Sequence, residues 1–161
     1  MSSDRRSFIK KSTAGVIGIA AFGVPKITEA SEIKWGKELQ SGLQLGVASY
    51  TLRKFSMEDA LDMTKRCGLN RITFKSMHLP LDSSIEDIHN AVNICKKKGV
   101  ELYGAGVIYM KSKQEVDNAF NYAKAAEMKM IVGVPNHDLL EYVEQKVKQY
   151  DIKLAIHNHG P

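Results

Sequence analysis

The 161-residue sequence has little cysteine and no basic patch in its main part. Its two cysteines, Cys67 and Cys95, have no Cys or His at close metal-site spacing, which argues against a zinc site. Each lies on the apolar side of a predicted helix, so we expect two buried thiols, with a disulfide between them as the less favoured alternative. No Lys/Arg cluster with interleaved aromatics occurs after residue 30, which argues against a nucleic-acid partner.

The sequence also lacks a hydrophobic run long enough to anchor it in a bilayer; its first thirty residues contain only the short apolar stretch Ala14–Val24. Arg5 and Arg6 precede that stretch in DRRSFIKK, which is similar to the twin-arginine export motif. We therefore expect residues 1–30 to be a signal peptide that is cleaved after Ala30 and contacts the membrane only transiently. The mature protein would be periplasmic. The alternative is an amphipathic N-terminal helix of a cytoplasmic protein.

That segment also carries most of the chain's positive charge. It holds five Lys/Arg and two Asp/Glu, so its removal lowers the formal net charge from +5 to about +2. A DNA-repair nuclease is disfavoured as a function, because the net charge that remains is small and because the chain carries a predicted export signal.

After a lead-in at residues 31–42, residues 43–161 repeat one unit: an apolar run, a polar loop and an amphipathic helix. The spacing of about 23 to 30 residues suits βα units, which form parallel sheets. The runs begin near Leu43, Arg71, Val100, Met130 and Leu154. Runs such as Ile131–Val134 and Leu154–Ile156 are apolar throughout, which predicts strands covered on both faces.

Four helices are predicted from their capping residues and apolar periodicity. The first three begin at Ser56, Ser84 and Ser112, and the fourth near Asn136 or Asp138. Their inward residues are predicted to be Ala60, Leu61, Thr64 and Cys67; Ile85, Ile88, Val92 and Cys95; Val116, Ala119, Phe120 and Ala123; and Leu139, Leu140, Val143 and Val147.

The loop after the first predicted strand, ASYTLRKFS, contains no glycine, whereas a doubly wound nucleotide-binding fold normally has a glycine-rich phosphate loop there. This favours a (β/α)8 TIM barrel. A complete barrel needs about 250 residues. We therefore predict about the first five strands and four helices of one.

Active-site residues of such barrels lie at the C-terminal ends of the strands, and here those positions are polar. They are Ser49, Tyr50, Lys75, His78, Tyr109, Lys111, Asn136, His137, His157, Asn158 and His159. The remaining histidine, His89, falls within a helix and receives no role.

His157 and His159 point to the same side if the strand continues through them, so both would be placed to chelate a divalent cation. A metal site needs three or four ligands, and the others are not evident. The letters HNH alone do not indicate a nuclease.

Five motifs, GVASYTLRKF, HLPLDSS, GVIYM, MIVGVP and LAIHNHGP, together resemble the sugar phosphate isomerases/epimerases, a family of xylose isomerase-like TIM barrels. The resemblance implies one divalent metal, Mn, Mg, Zn or Co, bound at the ends of strands five to eight, with two glutamates as acid and base in many members. His157 stands where members have a glutamate, and is the implied metal ligand. A metal-bound His157 would not serve as the base.

The function that this resemblance implies is an exported, metal-dependent sugar isomerase or epimerase that transfers a proton next to a carbonyl. Alternatives are a keto-sugar lyase or hydratase, or an inactive or binding module whose open strand edges are covered by a second copy or by a complementing half-barrel. The predicted catalytic residues are His159, Lys75 and Tyr109, and the predicted substrate-binding residues are Tyr50, His78, Lys111, Asn136 and Asn158.

Overall fold

The computed structural model describes residues 44–158. The predicted signal peptide, the predicted lead-in and His159 lie outside the described residues. Within residues 44–158, five strands alternate with four helices. The strands are β1 (Val47–Ala48), β2 (Arg71–Phe74), β3 (Glu101–Met110), β4 (Met130–Pro135) and β5 (Lys153–Ile156). The helices are α1 (Met57–Arg66), α2 (Ile85–Lys97), α3 (Lys113–Ala125) and α4 (Leu140–Tyr150), and short 3-10 helices occupy Ser49–Leu52 and His137–Leu139.

The strands form one parallel sheet in the order β1-β2-β3-β4-β5, so each strand pairs with the next one in the chain. A doubly wound sheet reverses its strand order at one point, whereas a barrel keeps the sequential order. The prediction of a partial TIM barrel is therefore confirmed.

Serine caps begin the first three helices, as predicted. The backbone N–H of Asp59 donates to Ser56 Oγ at 3.1 Å, and that of Asp87 donates to Ser84 Oγ at the same distance. The backbone N–H of Glu115 donates to Ser112 Oγ at 3.3 Å. Each bond satisfies one N–H that the first helical turn leaves without a partner. Helix α4 differs, because it follows a 3-10 turn and begins at Leu140 without a side-chain cap.

The two faces of the sheet are packed differently. Residues on the helix-covered face, such as Ile72 and Phe74, are buried, whereas Thr73, Val132 and Val134 on the opposite, concave face are only half-buried. The prediction that strands four and five are covered on both faces is therefore wrong. Their apolar character reflects the helices on one side, while small and aliphatic side chains line an open concave side.

Three further burial predictions are wrong, each at the end of an apolar stripe. Cys67 follows the last turn of α1 and is exposed, Ile85 is the first residue of α2 and is 59% exposed, and Leu140 begins α4 and is 43% exposed. A helix end extends past the sheet that buries the middle of the helix, so periodicity overestimates burial there. Cys95 lies inside α2, and burial raises the pKa of its thiol to about 11. Among residues 44–158 no helix is long and apolar enough to cross a membrane.

Candidate functional site at the C-terminal edge of the sheet

All five strands run in the same direction, so the residues that follow them meet at one edge of the sheet. The predicted site residues lie along this C-terminal edge, except for His159, which is outside the described part of the chain. Tyr50 follows β1, Lys75 follows β2, Tyr109 is the penultimate residue of β3, Asn136 follows β4 and His157 follows β5. The edge therefore collects side chains from loops that are distant in sequence.

The ends of β1 and β2 are joined by Ser49, which is only 1% exposed. Its hydroxyl accepts a hydrogen bond from the backbone N–H of Lys75 at 2.9 Å. Because this N–H lies one residue beyond the strand, the serine replaces a backbone partner at the point where strand pairing stops. Ser49 therefore fixes the position from which the Lys75 side chain extends.

Tyr50 is 52% exposed and has two cations near its ring. The guanidinium carbon of Arg53 lies 4.7 Å from the ring centroid, and Lys75 Nζ lies 5.2 Å from it. Arg53 Nη1 also donates to the Tyr50 carbonyl at 3.2 Å, which holds the guanidinium beside the ring. We call Tyr50, Arg53 and Lys75 the Tyr50 cluster. Its members come from two neighbouring loops, so it exists only in the folded chain.

His78 is buried, at 9% exposure, beneath the loops that follow β1 and β2. Its Nε2 lies 3.2 Å from the Phe55 carbonyl oxygen, and its ring centroid lies 5.9 Å from that of Phe74. A carbonyl only accepts, so Nε2 is the donor of this hydrogen bond. Nδ1 has no hydrogen-bond partner in the described structure. His78 thus links the two loops, and its role in substrate binding stays a prediction.

Tyr109 lies on the concave face of β3, opposite Val134 in the β3–β4 register, and is 57% exposed. The loop after β3 is fixed by its backbone, since the Lys111 N–H donates to Glu115 Oε2 at 2.5 Å and the Asn136 N–H donates to the Met110 carbonyl at 2.9 Å. The Tyr109 hydroxyl and the Lys111 ammonium therefore project from an ordered part of the edge.

A cleft of about 200 Å³ opens beside Tyr109, between β3 and the loop after β2. Ser76 and Leu79 line one side and Tyr122 of α3 lines another. The buried Tyr122 hydroxyl donates to the Leu79 carbonyl at 3.0 Å, and burial raises its pKa. Tyr122 is thus a neutral hydrogen-bond donor that supports the loop.

His157 continues the strand pairing beyond β5, because its backbone N–H donates to the Gly133 carbonyl at 2.9 Å. The register pairs Val132 with Ala155, so His157, two residues after Ala155, follows the concave side. Asn158 follows and is exposed. Within residues 44–158 no group of three or more His, Cys, Asp or Glu side chains is placed to hold a metal ion.

Sequence reasoning missed Arg53 and underestimated Ser49. Arg53 comes three residues after Tyr50, and that spacing places two side chains on one side of a helical turn. This spacing indicates the contact only if the loop is helical, and the structure has a 3-10 helix at Ser49–Leu52. The sequence places Ser49 at the edge, but its bond to the Lys75 backbone depends on the parallel pairing of β1 with β2.

Comparisons with known proteins support the fold. No protein-family model matches the chain, and no curated protein matches it. A solved structure of an uncharacterised protein from Parabacteroides distasonis is 23% identical, with a TM-score of 0.66 over 72% of this chain and 53% of that one. A xylose isomerase domain-containing protein from Salmonella typhimurium is 16% identical, with a TM-score of 0.51 over 68% of this chain and 47% of that one. The chain thus spans about half the length of these two structures, and its described part has the fold of a partial TIM barrel that is similar to part of each.

Proposed function

We propose that the chain belongs to an exported, metal-dependent sugar isomerase or epimerase, with its substrate at the C-terminal edge of the sheet. The observation that carries the proposal is the collection of Tyr50, Lys75, Tyr109 and His157 at the edge where TIM barrels bind substrates. The similarity in fold to a xylose isomerase domain-containing protein supports the same class of substrate.

The proposed reaction removes and returns the proton on the carbon next to a carbonyl. A base removes the proton and its electron pair forms an enediolate. In isomerisation the proton returns to the former carbonyl carbon while the hydroxyl proton passes to the former carbonyl oxygen; in epimerisation it returns to the opposite face of the same carbon. His159 is the proposed base. Tyr109 offers an exposed hydroxyl to the substrate oxygens, and the Lys75 ammonium balances their negative charge.

A divalent metal bound by His157 is part of the proposal, but the residues that the structure describes do not complete such a site. Further donors would have to come from outside residues 44–158. We therefore derive no chemical step through the metal. The ligand role is tested by measuring bound Mn, Mg, Zn and Co in the purified protein and in a His157→Ala variant, with His89→Ala as a control. Equal metal content in all three proteins would refute it.

A second candidate is a binding module that holds a sugar without converting it. The exposed rings of Tyr50 and Tyr109 favour it, since aromatic faces offer apolar contact area beside polar groups. In that case β5, whose Ile156 is 58% exposed, would pair with a second copy or a complementing half-barrel.

Isotope exchange separates the two candidates. The protein is incubated with D-xylulose, D-fructose and their aldose isomers in D2O with added Mn²⁺, and the sugars are analysed by mass spectrometry and NMR. We expect deuterium at the carbon next to the carbonyl, and its loss in a Tyr109→Phe variant. Product that has lost water would indicate the lyase or hydratase instead, and saturable binding without deuterium would indicate the binding module.

The proposed periplasmic location rests on the twin arginines and is tested separately. Replacing Arg5 and Arg6 with lysines keeps the charge but removes the paired guanidinium groups. We expect the variant to remain in the cytoplasmic fraction of a bacterial host while the parent protein reaches the periplasm. Equal distribution of the two proteins would contradict export by this route.

A further inference from the structure

The structure contains a second tyrosine with two cations beside its ring. Lys113 Nζ and Lys146 Nζ lie 5.1 Å and 4.9 Å from the ring centroid of Tyr142 on α4. Asp117 completes this group: its carboxylate is 2.6 Å from Lys146 Nζ and accepts from the Tyr142 hydroxyl at 2.8 Å. We call these four residues the Tyr142 cluster. In this cluster the negative charge of Asp117 offsets part of the positive charge of the two lysines.

The Tyr50 cluster has the same arrangement without the anion. Neither Arg53 nor Lys75 forms an ion pair with a carboxylate of the described residues, in contrast to the paired cations elsewhere. Arg53 Cζ and Lys75 Nζ lie 4.7 Å and 5.2 Å from the same ring centroid, so they are at most about 10 Å apart and repel each other. An anion bound beside them would offset that repulsion.

The surrounding loops compensate this positive charge only in part. Residues 49–56 contain Arg53 and Lys54 and no Asp or Glu, and residues 75–84 contain Lys75 and one acidic residue, Asp82. Asp59, at the start of α1, accepts from the Ser56 hydroxyl at 2.7 Å within the helix cap. With three cations and one carboxylate, the two loops carry a formal net charge of +2.

We propose that Arg53 and Lys75, on the ring of Tyr50, form a subsite for an anionic group of the substrate, a carboxylate or a phosphate. A guanidinium presents paired N–H donors that match two oxygens of either group, and the ammonium adds a second charge. The ring presents its face to both cations and keeps them at the site. This inference rests on the proposed function, since it specifies the substrate as a sugar acid or a sugar phosphate.

The geometry also indicates how such a substrate would lie. Arg53 Nη1 is held by the Tyr50 carbonyl, and buried Ser49 holds the backbone from which the Lys75 side chain extends, so the guanidinium and the base of the lysine are positioned before the anion arrives. Preorganised charges bind an anion more tightly than mobile ones, because less side-chain freedom is lost. In a substrate with an anionic group, Lys75 contacts that group at the ends of β1 and β2, in place of the enediolate oxygens, and the rest of the sugar extends along the edge toward Tyr109.

The test is a binding titration of the full ¹⁵N-labelled chain at low ionic strength, followed in two-dimensional amide and arginine side-chain NMR spectra. The probes are inorganic phosphate, D-gluconate, uncharged D-xylose and NaCl at matched ionic strength. We expect saturable shifts at Tyr50, Arg53 and Lys75 with phosphate or gluconate and none at Arg53 with xylose or NaCl. The stronger of the two anions identifies a phosphate or a carboxylate as the recognised group.

Charge-removing variants assign the binding to the cluster. Arg53→Gln and Lys75→Gln should each weaken anion binding about tenfold, the effect of losing one charge-assisted contact. Lys113→Gln removes a lysine from the Tyr142 cluster and should leave binding unchanged, and the dispersion of each spectrum reports whether the variant is folded. No saturable shift with either anion, or equal binding by the three variants and the parent, would overturn the subsite.

The result is separable from that of the proposed function. Anion binding without deuterium incorporation into any sugar or sugar acid would remove the isomerase proposal and keep the subsite. Deuterium incorporation into fructose or xylulose without anion binding would keep the isomerase proposal and remove the subsite.

Discussion

The Tyr50 and Tyr142 clusters both place two cations beside a tyrosine ring, yet only one of them contains a carboxylate. The Tyr142 cluster joins α3 to α4 on the helical side of the fold, and Asp117 compensates its charge. The Tyr50 cluster lies at the C-terminal ends of β1 and β2, and no carboxylate within residues 44–158 forms an ion pair with Arg53 or Lys75. We infer from this difference that the Tyr142 cluster stabilises the fold, whereas the Tyr50 cluster is the proposed anion subsite.

Both clusters rest on equally buried core residues, and removing that core should have the largest effect. Phe74 lies next to Lys75 and Phe120 lies in α3 near the Tyr142 cluster, and both are 0% exposed. We expect Phe74→Ala and Phe120→Ala each to lower the free energy of unfolding by about 3–5 kcal/mol in urea titrations. If only one variant lost less than about 1 kcal/mol, the core beneath that cluster would contribute less to stability than the core beneath the other.

Removing the internal anion should come next. Asp117→Asn removes the negative charge beside Lys146, whose side chain is only 15% exposed, and should lower the free energy of unfolding. The control is Glu144→Gln, which removes the charge from the exposed pair with Lys148 and should lower it less, because solvent screens that pair. Equal effects of the two variants in urea titrations would contradict a structural role for the Tyr142 cluster.

The same carboxylate should make stability depend on pH. Hydrogen bonds from Lys146 and then from Tyr142 hold the pKa of Asp117 below its ordinary value. The folded chain therefore binds this proton less readily than the unfolded chain, so the stabilisation is present above about pH 4 and is lost as pH falls through the folded-state pKa. Unfolding free energies from pH 6 to pH 2 should fall less steeply in Asp117→Asn than in the parent. Parallel profiles would rule out the linkage.

The smallest effect on stability is expected at the Tyr50 cluster. Lys75→Gln removes one of two cations that repel each other, so the free energy of unfolding should change by less than about 0.5 kcal/mol, or rise slightly. Thermal and urea unfolding in low and high salt measure this change in the free energy of unfolding. Any increase should disappear at high salt, because salt screens the repulsion between the two cations. A loss above about 1 kcal/mol would show that Lys75 already has a stabilising partner.

Much of the fold could be predicted from the sequence because its signals are local. The serines at positions 56, 84 and 112 satisfy N–H groups within their own first turns, and the repeat of runs and helices implies parallel pairing. The exposure of Cys67 and Ile85 could not be predicted this way. Periodicity identifies a helical face, but only the three-dimensional packing shows where the sheet beneath it ends.

The candidate site was predictable as a location but not as an arrangement. Parallel strands bring their C-terminal ends together, so Lys75, Tyr109 and His157 could be assigned to one edge. The contact of Arg53 and Lys75 with one ring depends on the short 3-10 helix after β1 and on the buried hydroxyl of Ser49. These contacts depend on the tertiary structure, and no local sequence pattern indicates them.

The most direct test of the central claim is to map a sugar on the protein. The ¹⁵N-labelled chain is titrated with uncharged D-fructose, which binds independently of any anion subsite, and the perturbed amides are assigned. The account predicts saturable shifts at Lys75, Tyr109 and His157 and none in the Tyr142 cluster. Shifts centred on the Tyr142 cluster, or no saturable shift along the C-terminal edge, would contradict it.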